Sequence, residues 1–154
     1  ANIEVSQIKG KNNWALLLDP DGFITEGTGD NFFIVKNGKI LTPEGRNILR
    51  GISRDYIFTL AEELNIPCKE CNIEPYDVYT ADEAFMTATP FCILPTVSLQ
   101  GIKIGNGKMG NITTTLLRKW SENVGLDIQG QIQEYGKEVE YLNSGHSTPY
   151  QFNR

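Results

Sequence analysis

The chain has 154 residues, 40% of them hydrophobic and 21% charged, with a formal net charge of −5. That length suits one globular domain with a core large enough to stand alone, and an acidic chain without a basic stripe is a poor nucleic-acid binder. No apolar run is long enough for a membrane span, and three cysteines, an odd count, argue against a disulfide framework and for a reducing, cytoplasmic compartment.

The first six residues, Ala-Asn-Ile-Glu-Val-Ser, have neither the basic start nor the apolar stretch of a signal peptide. No initiator Met precedes them, so either the Met has been removed or the chain begins within a longer protein. Residues 14–19 (Trp-Ala-Leu-Leu-Leu-Asp) read as a buried strand. Asp19-Pro20-Asp21-Gly22 is a turn signal, because Pro presets one φ and Gly permits a positive one. Residues 23–26 continue as a second strand and 31–36 as a third. Asn37-Gly38 is a strong short hairpin signal, returning the chain as a fourth strand at 39–42. The first third is therefore an antiparallel meander.

Helical spacing follows. Ile52, Tyr56, Ile57, Leu60, Ala61 and Leu64 predict a helix over 53–64, with Ser53 as its cap and Asp55 in its first turn. Pro67 ends it. Strands are expected around 69–73, 83–87 and 93–99, with a short helix over 75–81 and a Gly-rich hairpin and loop over 101–110. Ile112, Leu116, Trp120 and Val124 predict a second helix over 112–124, capped by Asn111. Past Gly125 the pattern weakens, and residues 143–154 form a polar tail containing the one histidine, His146.

Cys68 and Cys71 make a C-x-x-C without a second ligand pair, so ordinary cysteines near a strand are favoured over zinc or redox chemistry. Three other stretches carry chemistry. Glu26-Gly27-Thr28-Gly29-Asp30-Asn31 sets a carboxylate at a strand end beside two glycines; read alone it is a turn with an exposed Glu. Arg50-Gly51-Ile52-Ser53-Arg54 opens a helix with free N–H groups and a hydroxyl, which is a ready phosphate site or simply a capped helix. Thr87-Ala88-Thr89-Pro90 ends a strand in small hydroxylated residues, where ligands often sit, or is a plain turn.

The order and spacing are more specific than any single stretch. Glu26, Asn31-Phe32-Phe33, Ile40-Leu41-Thr42 and Leu49-Arg50-Gly51-Ile52-Ser53-Arg54 together resemble the signature of class IV pyridoxal-phosphate aminotransferases, the branched-chain and D-amino-acid aminotransferase family. The stretches at 82–89 and 107–113 are similar to later blocks of that family, so the resemblance spans about residues 14–124.

The resemblance implies a mixed α/β fold like the C-terminal domain of fold-type IV enzymes, covering residues 1–142, and a homodimer. It implies pyridoxal 5'-phosphate (PLP) as cofactor and amino-acid and 2-oxo-acid substrates, branched-chain amino acids among the candidates. By position, Glu26 matches the carboxylate beside the ring nitrogen, where a negative charge favours the protonated ring. Gly51, Ile52 and Ser53 match the phosphate site at the helix start. Leu49 matches an apolar residue on the ring face, and Ala88 and Thr89 a second part of the cofactor site. Thr89 and Pro90 fall at the substrate site, and Asn31 matches the signature Asn, read as a support of the loop. Arg50 and Arg54 are open between phosphate contacts and ion pairs.

The chain departs from the family pattern in two places. The Schiff-base lysine lies further upstream of the signature Glu than this chain reaches, and Lys9 and Lys11 are too close to Glu26. The chain alone is therefore expected to be inactive, as a portion lacking the N-terminal domain. Pro90 has no N–H where the family presents one to a substrate carboxylate, and Phe91 beside it is bulky. This leaves open an aminodeoxychorismate lyase-like or amine transaminase reaction, and a non-catalytic binding or dimerising role.

Overall fold

The computed structural model describes residues 1–8 and 12–143. Lys9, Lys11, His146 and the rest of the expected tail beyond Asn143 lie outside the described residues. A short helix α1 (Asn2–Ser6) precedes strands β1 (Leu16–Leu18), β2 (Ile24–Gly27), β3 (Asn31–Lys36) and β4 (Lys39–Thr42). Helix α2 (Ile52–Glu63), strand β5 (Cys68–Glu70), helix α3 (Pro75–Tyr79) and strands β6 (Glu83–Ala88) and β7 (Cys92–Pro95) follow. The small hairpin β8 (Ser98–Leu99) and β9 (Ile102–Lys103) leads to helices α4 (Asn111–Val124) and α5 (Ile128–Asn143).

The meander forms as the turn chemistry requires. Asn37 and Gly38 have φ of 51° and 73°, both in the left-handed region that a two-residue hairpin demands. Strands β1 to β4 pair antiparallel in sequence order, β6 pairs antiparallel with β3 and β7, and among the described strands only β4 and β5 are parallel. The fold is therefore mixed α/β with an antiparallel-rich sheet, as expected.

Strand β3 is central, and its apolar run Phe32–Val35 is buried on both faces. Period-two alternation sends Phe33 and Val35 into a core with Ile57 and Leu60 of α2 and Leu116 and Trp120 of α4. Phe32 and Ile34 enter a second core with Val78 of α3, Ile73 and Met86. Phe33 stacks on Phe85, its registered partner on β6, with centroids 4.9 Å apart. Among the described residues no helix is long and apolar enough to cross a membrane.

Several sequence expectations are corrected. The strand expected to be buried at 14–19 is an edge strand of three residues, with Leu18 and Trp14 about half exposed; its apolar run has a sheet neighbour on one side only. Ile52, counted in the core stripe of α2, is 88% exposed and belongs to neither apolar core. Ser53 and Asn111 are not caps: the N-cap residues are Gly51 and Gly110, and neither helix is capped by its N-cap side chain. The strand expected over 93–99 is two, because the chain leaves β6 and re-pairs as the β8–β9 hairpin, turning at Gln100 and Gly101 with positive φ. Val124 is exposed and Leu117 takes its place in the core. Helix α5 forms where the apolar pattern had weakened.

Candidate functional site

Three strands meet in one row at the start of β3. Glu26 of β2 is registered with Asn31 of β3, and Asn31 with Thr87 of β6. The loop after β4 brings the N-terminus of α2 onto the same end of the sheet, and the loop after β6 supplies Ala88, Thr89 and Pro90. Together they line an open pocket of about 280 Å³, whose wall includes Glu26, Leu49, Gly51, Ile52, Ser53, Ala88, Thr89 and Pro90. Every residue singled out from the sequence as a site residue is thus gathered into one cavity, close to the lower bound of roughly 300 Å³ for ligand pockets.

Asn31 is the keystone of this wall. Its Nδ2 donates to Glu26 Oε2 (3.2 Å) and to the Leu49 carbonyl (2.8 Å), while the Leu49 N–H donates to the same Glu26 oxygen (2.9 Å). One carboxylate oxygen is therefore taken up in holding the loop, and Oε1 has no hydrogen bond among the described residues. A Cβ on Gly51 would collide with the Asn31 carboxamide, so glycine is needed where the loop enters α2. This is the supporting role the sequence assigns to Asn31.

The opposite wall is the first turn of α2. Its leading N–H groups have no carbonyl four residues back, no side chain among the described residues caps them, and the first intrahelical bond runs from Asp55 N–H to Gly51 O (3.0 Å). The helix end is a local positive pole facing the cavity. Neither arginine of this stretch lines the pocket. Arg54 is 2% exposed and donates to Glu70 (2.6 Å) and the Pro43 carbonyl (3.2 Å), with Asp55 at 3.5 Å and the Phe58 ring beneath it. Its guanidinium holds the Glu70 carboxyl below the usual range, and it ties α2 to β5. The Arg50 guanidinium lies over Gly45.

Five further pocket residues, Gly27, Thr28, Gly29, Asp30 and Thr87, lie inside the quoted stretches, and two of them are buried polar groups. Asp30 is 6% exposed and neither carboxylate oxygen has a hydrogen-bond partner among the described residues. Burial first, and the Glu26 charge second, push its carboxyl up to about 6, opposed by the nearby Gly29 and Gly27 amides. Thr87 is buried with its hydroxyl unpartnered among the described residues. Burial of this kind is invisible in a turn read by composition alone. Away from the pocket, Cys68 and Cys71 are free, half-buried thiols; burial pushes Cys68 up to about 12, offset slightly by Arg54, and raises Cys71 as well. Both stay protonated at neutral pH, the inert form for nucleophilic or metal chemistry.

The family amino-transferase class IV matches residues 6–99. The chain belongs to the class IV aminotransferase family. It is similar to the branched-chain-amino-acid aminotransferase of Pseudomonas aeruginosa, 42% identical over 117 residues, which are 76% of this chain and 38% of the relative. The solved branched-chain amino acid aminotransferase of Thermobaculum terrenum in its PLP-form superimposes with a TM-score of 0.74 at 32% identity, over 84% of this chain and 42% of that one. The T.th. branched-chain enzyme solved with pyridoxamine 5'-phosphate gives 0.67 at 32% identity, over 70% and 36%. The chain thus spans about two fifths of the length of the relatives it matches, and the family match over residues 6–99 takes in strands β1 to β7 and α2, which build the pocket.

Proposed function

We propose that this chain forms the cofactor-binding wall of a PLP-dependent enzyme that transfers an amino group between an amino acid, of the branched-chain class, and a 2-oxo acid. The observation that carries this reading is the polarity of the pocket: a carboxylate with one free oxygen at one side, and an uncapped helix N-terminus with small hydroxyl residues at the other. PLP has the complementary ends, a basic ring nitrogen and a phosphate. The residues fit it, and the glycine required at position 51 keeps the helix end open to the phosphate.

In this reading Glu26 Oε1 accepts a hydrogen bond from the protonated ring nitrogen, while Oε2 stays fixed by Asn31 and Leu49, so the carboxylate is pre-oriented. The N–H groups of Ile52 and Ser53 and the Ser53 hydroxyl hold the phosphate, with Gly51 giving it room. Leu49, 74% exposed, is free to cover the ring, and Ala88 and Thr89 close the other side. The cofactor itself supplies an electron sink for the substrate's Cα–H bond. Among the described residues the pocket is lined by no lysine; in this reading the wall binds and orients, and the amine that anchors the cofactor is supplied from outside it. Residues 1–142 then act as one half of a site, within a homodimer of the whole enzyme.

Pro90 favours a second reading of the substrate. It lines the pocket and offers no N–H to a substrate carboxylate, which suits an amine donor or a lyase-type substrate; comparing donors with and without a carboxylate on the whole protein separates the two. A purely structural, non-catalytic role is the remaining alternative. The first measurement is the absorbance of the chain titrated with PLP, beside Glu26→Ala. Saturable binding, weakened roughly tenfold to a hundredfold by loss of a charged hydrogen bond, supports the cofactor reading. Absence of binding in both proteins sinks it.

A further inference from the structure

Asp30 is a buried titratable group to which the cofactor reading gives no task. The turn between β2 and β3 closes through the Gly27 N–H donating to the Asp30 carbonyl (2.9 Å). The side chain folds back over Gly27, where any Cβ would collide with its carboxyl group. The carboxyl therefore packs against the residue next to Glu26, on the same pocket wall. A buried carboxylate without a well-formed hydrogen bond is costly, and groups of this kind concentrate at functional sites.

The charges around it are few. Among the described residues, Glu26 of β2 is the one charged group that acts on it. From β6 the pocket presents the neutral Thr87, and from α2 the neutral Ser53. Arg54 is committed to Glu70 and Asp55, and Arg50 lies over Gly45.

We propose that Asp30 is a positioning residue acting through Glu26: when a protonated nitrogen seats on Glu26, Asp30 gives its proton to solvent, and the second negative charge tightens the hold. The inference rests on the assignment of Glu26 to the cofactor's ring nitrogen. It stands on the shared turn, the burial of both oxygens and the lack of a well-formed hydrogen bond to either among the described residues, the Gly27 and Gly29 amides being close but only partly offsetting the burial. A carboxyl raised to about 6 still carries a proton to release below about pH 6, where an ordinary carboxyl has already lost it. The incoming positive charge offsets the Glu26 repulsion that helps keep that proton on. Each unit by which binding lowers the Asp30 pKa makes the ligand about tenfold tighter above the transition than below it.

The test uses pyridoxamine 5'-phosphate, which needs no lysine. Its dissociation constant is measured between pH 5 and 8 on the full chain and on Asp30→Asn. The phosphate's own ionisation near pH 6 is common to both proteins, so their difference isolates Asp30. The expected result is an affinity that rises about tenfold more in the wild type than in the variant across pH 5 to 7. Superimposed curves with binding intact overturn this inference alone. No binding by either protein overturns the cofactor reading and this inference with it. A second readout needs no ligand: the Asp30 carboxyl carbon, followed by NMR, should titrate near 6 and shift down in Glu26→Gln. A midpoint near 4 in both proteins overturns the inference.

Discussion

Helices α2 and α4 begin alike and end up with different employment. Each has a glycine at its N-cap, no cap from that residue, and a carbon position that a methyl group could not occupy. At α4 the chain supplies its own anion. Glu83, the first residue of β6, accepts from the N–H groups of Ile112 (2.9 Å) and Thr113 (2.8 Å) and from the Thr113 hydroxyl (2.7 Å). At α2 no side chain among the described residues fills the same role, and the helix end opens on a pocket. An unsatisfied helix N-terminus is thus informative only beside one that the protein has closed: the fold has the means to cap a helix with a distant carboxylate, and at α2 it leaves the positive pole exposed.

The sharpest way to break this comparison is to remove the carboxylate at α4. Glu83→Ala leaves two N–H groups and a buried hydroxyl without an acceptor, and urea unfolding should show a loss of about 2–3 kcal/mol, with cofactor affinity little changed. Next come the two glycines. Gly110→Ala forces the Glu83 side chain out of place and should lower stability by about 1–2 kcal/mol, without weakening PLP binding. Gly51→Ala instead displaces the Asn31 carboxamide, and with it the hold on Glu26 and Leu49; PLP affinity should fall about tenfold or more. Equal effects of the two on binding would remove the distinction between a closed and an open helix end.

A smaller effect belongs to Asp30. Its folded-state carboxyl titrates near 6, above the ordinary value of 3.8. Between those two pH values the folded chain keeps a proton that the unfolded chain has released, so this residue's contribution to stability falls as pH rises from about 4 to about 6 and is flat above. The paired Glu70, whose carboxyl is lowered by Arg54, acts in the opposite direction and at lower pH, losing its contribution as pH falls. Asp30→Asn should therefore be more stable than the wild type at pH 7 by about 1–2 kcal/mol, with the gap closing towards pH 4; a constant gap would mean that packing, not charge, sets the difference. Last, Ser53→Ala removes one hydroxyl from the first turn of α2. It should weaken PLP binding several-fold, about 1 kcal/mol, and leave thermal stability unchanged because Ser53 caps nothing.

Local chemistry made much of this protein legible in its sequence. Asn37-Gly38 has one good use, a two-residue hairpin, and β3 and β4 follow from it with the bounds expected. Helical spacing found α2 and α4 to within a residue, and the ordered spacing from Glu26 to Arg54 pointed to the family that the relatives bear out. Eight candidate site residues between positions 26 and 90 follow from the sequence alone, and one pocket joins them. The tertiary structure decided what depends on neighbours. Ile52 and Val124 fit the apolar stripes but face solvent, because a stripe does not say where the sheet ends. The true cap of α4 is a glutamate 29 residues away from the N–H it receives, which no local pattern encodes. Helix α5 forms without a strong stripe, and among its described side chains its first residue, Ile128, is the one that enters the core. Asp30 reads as an ordinary turn residue until the fold buries it beside Glu26, since burial and the charge next door, not residue type, set what a carboxyl can do.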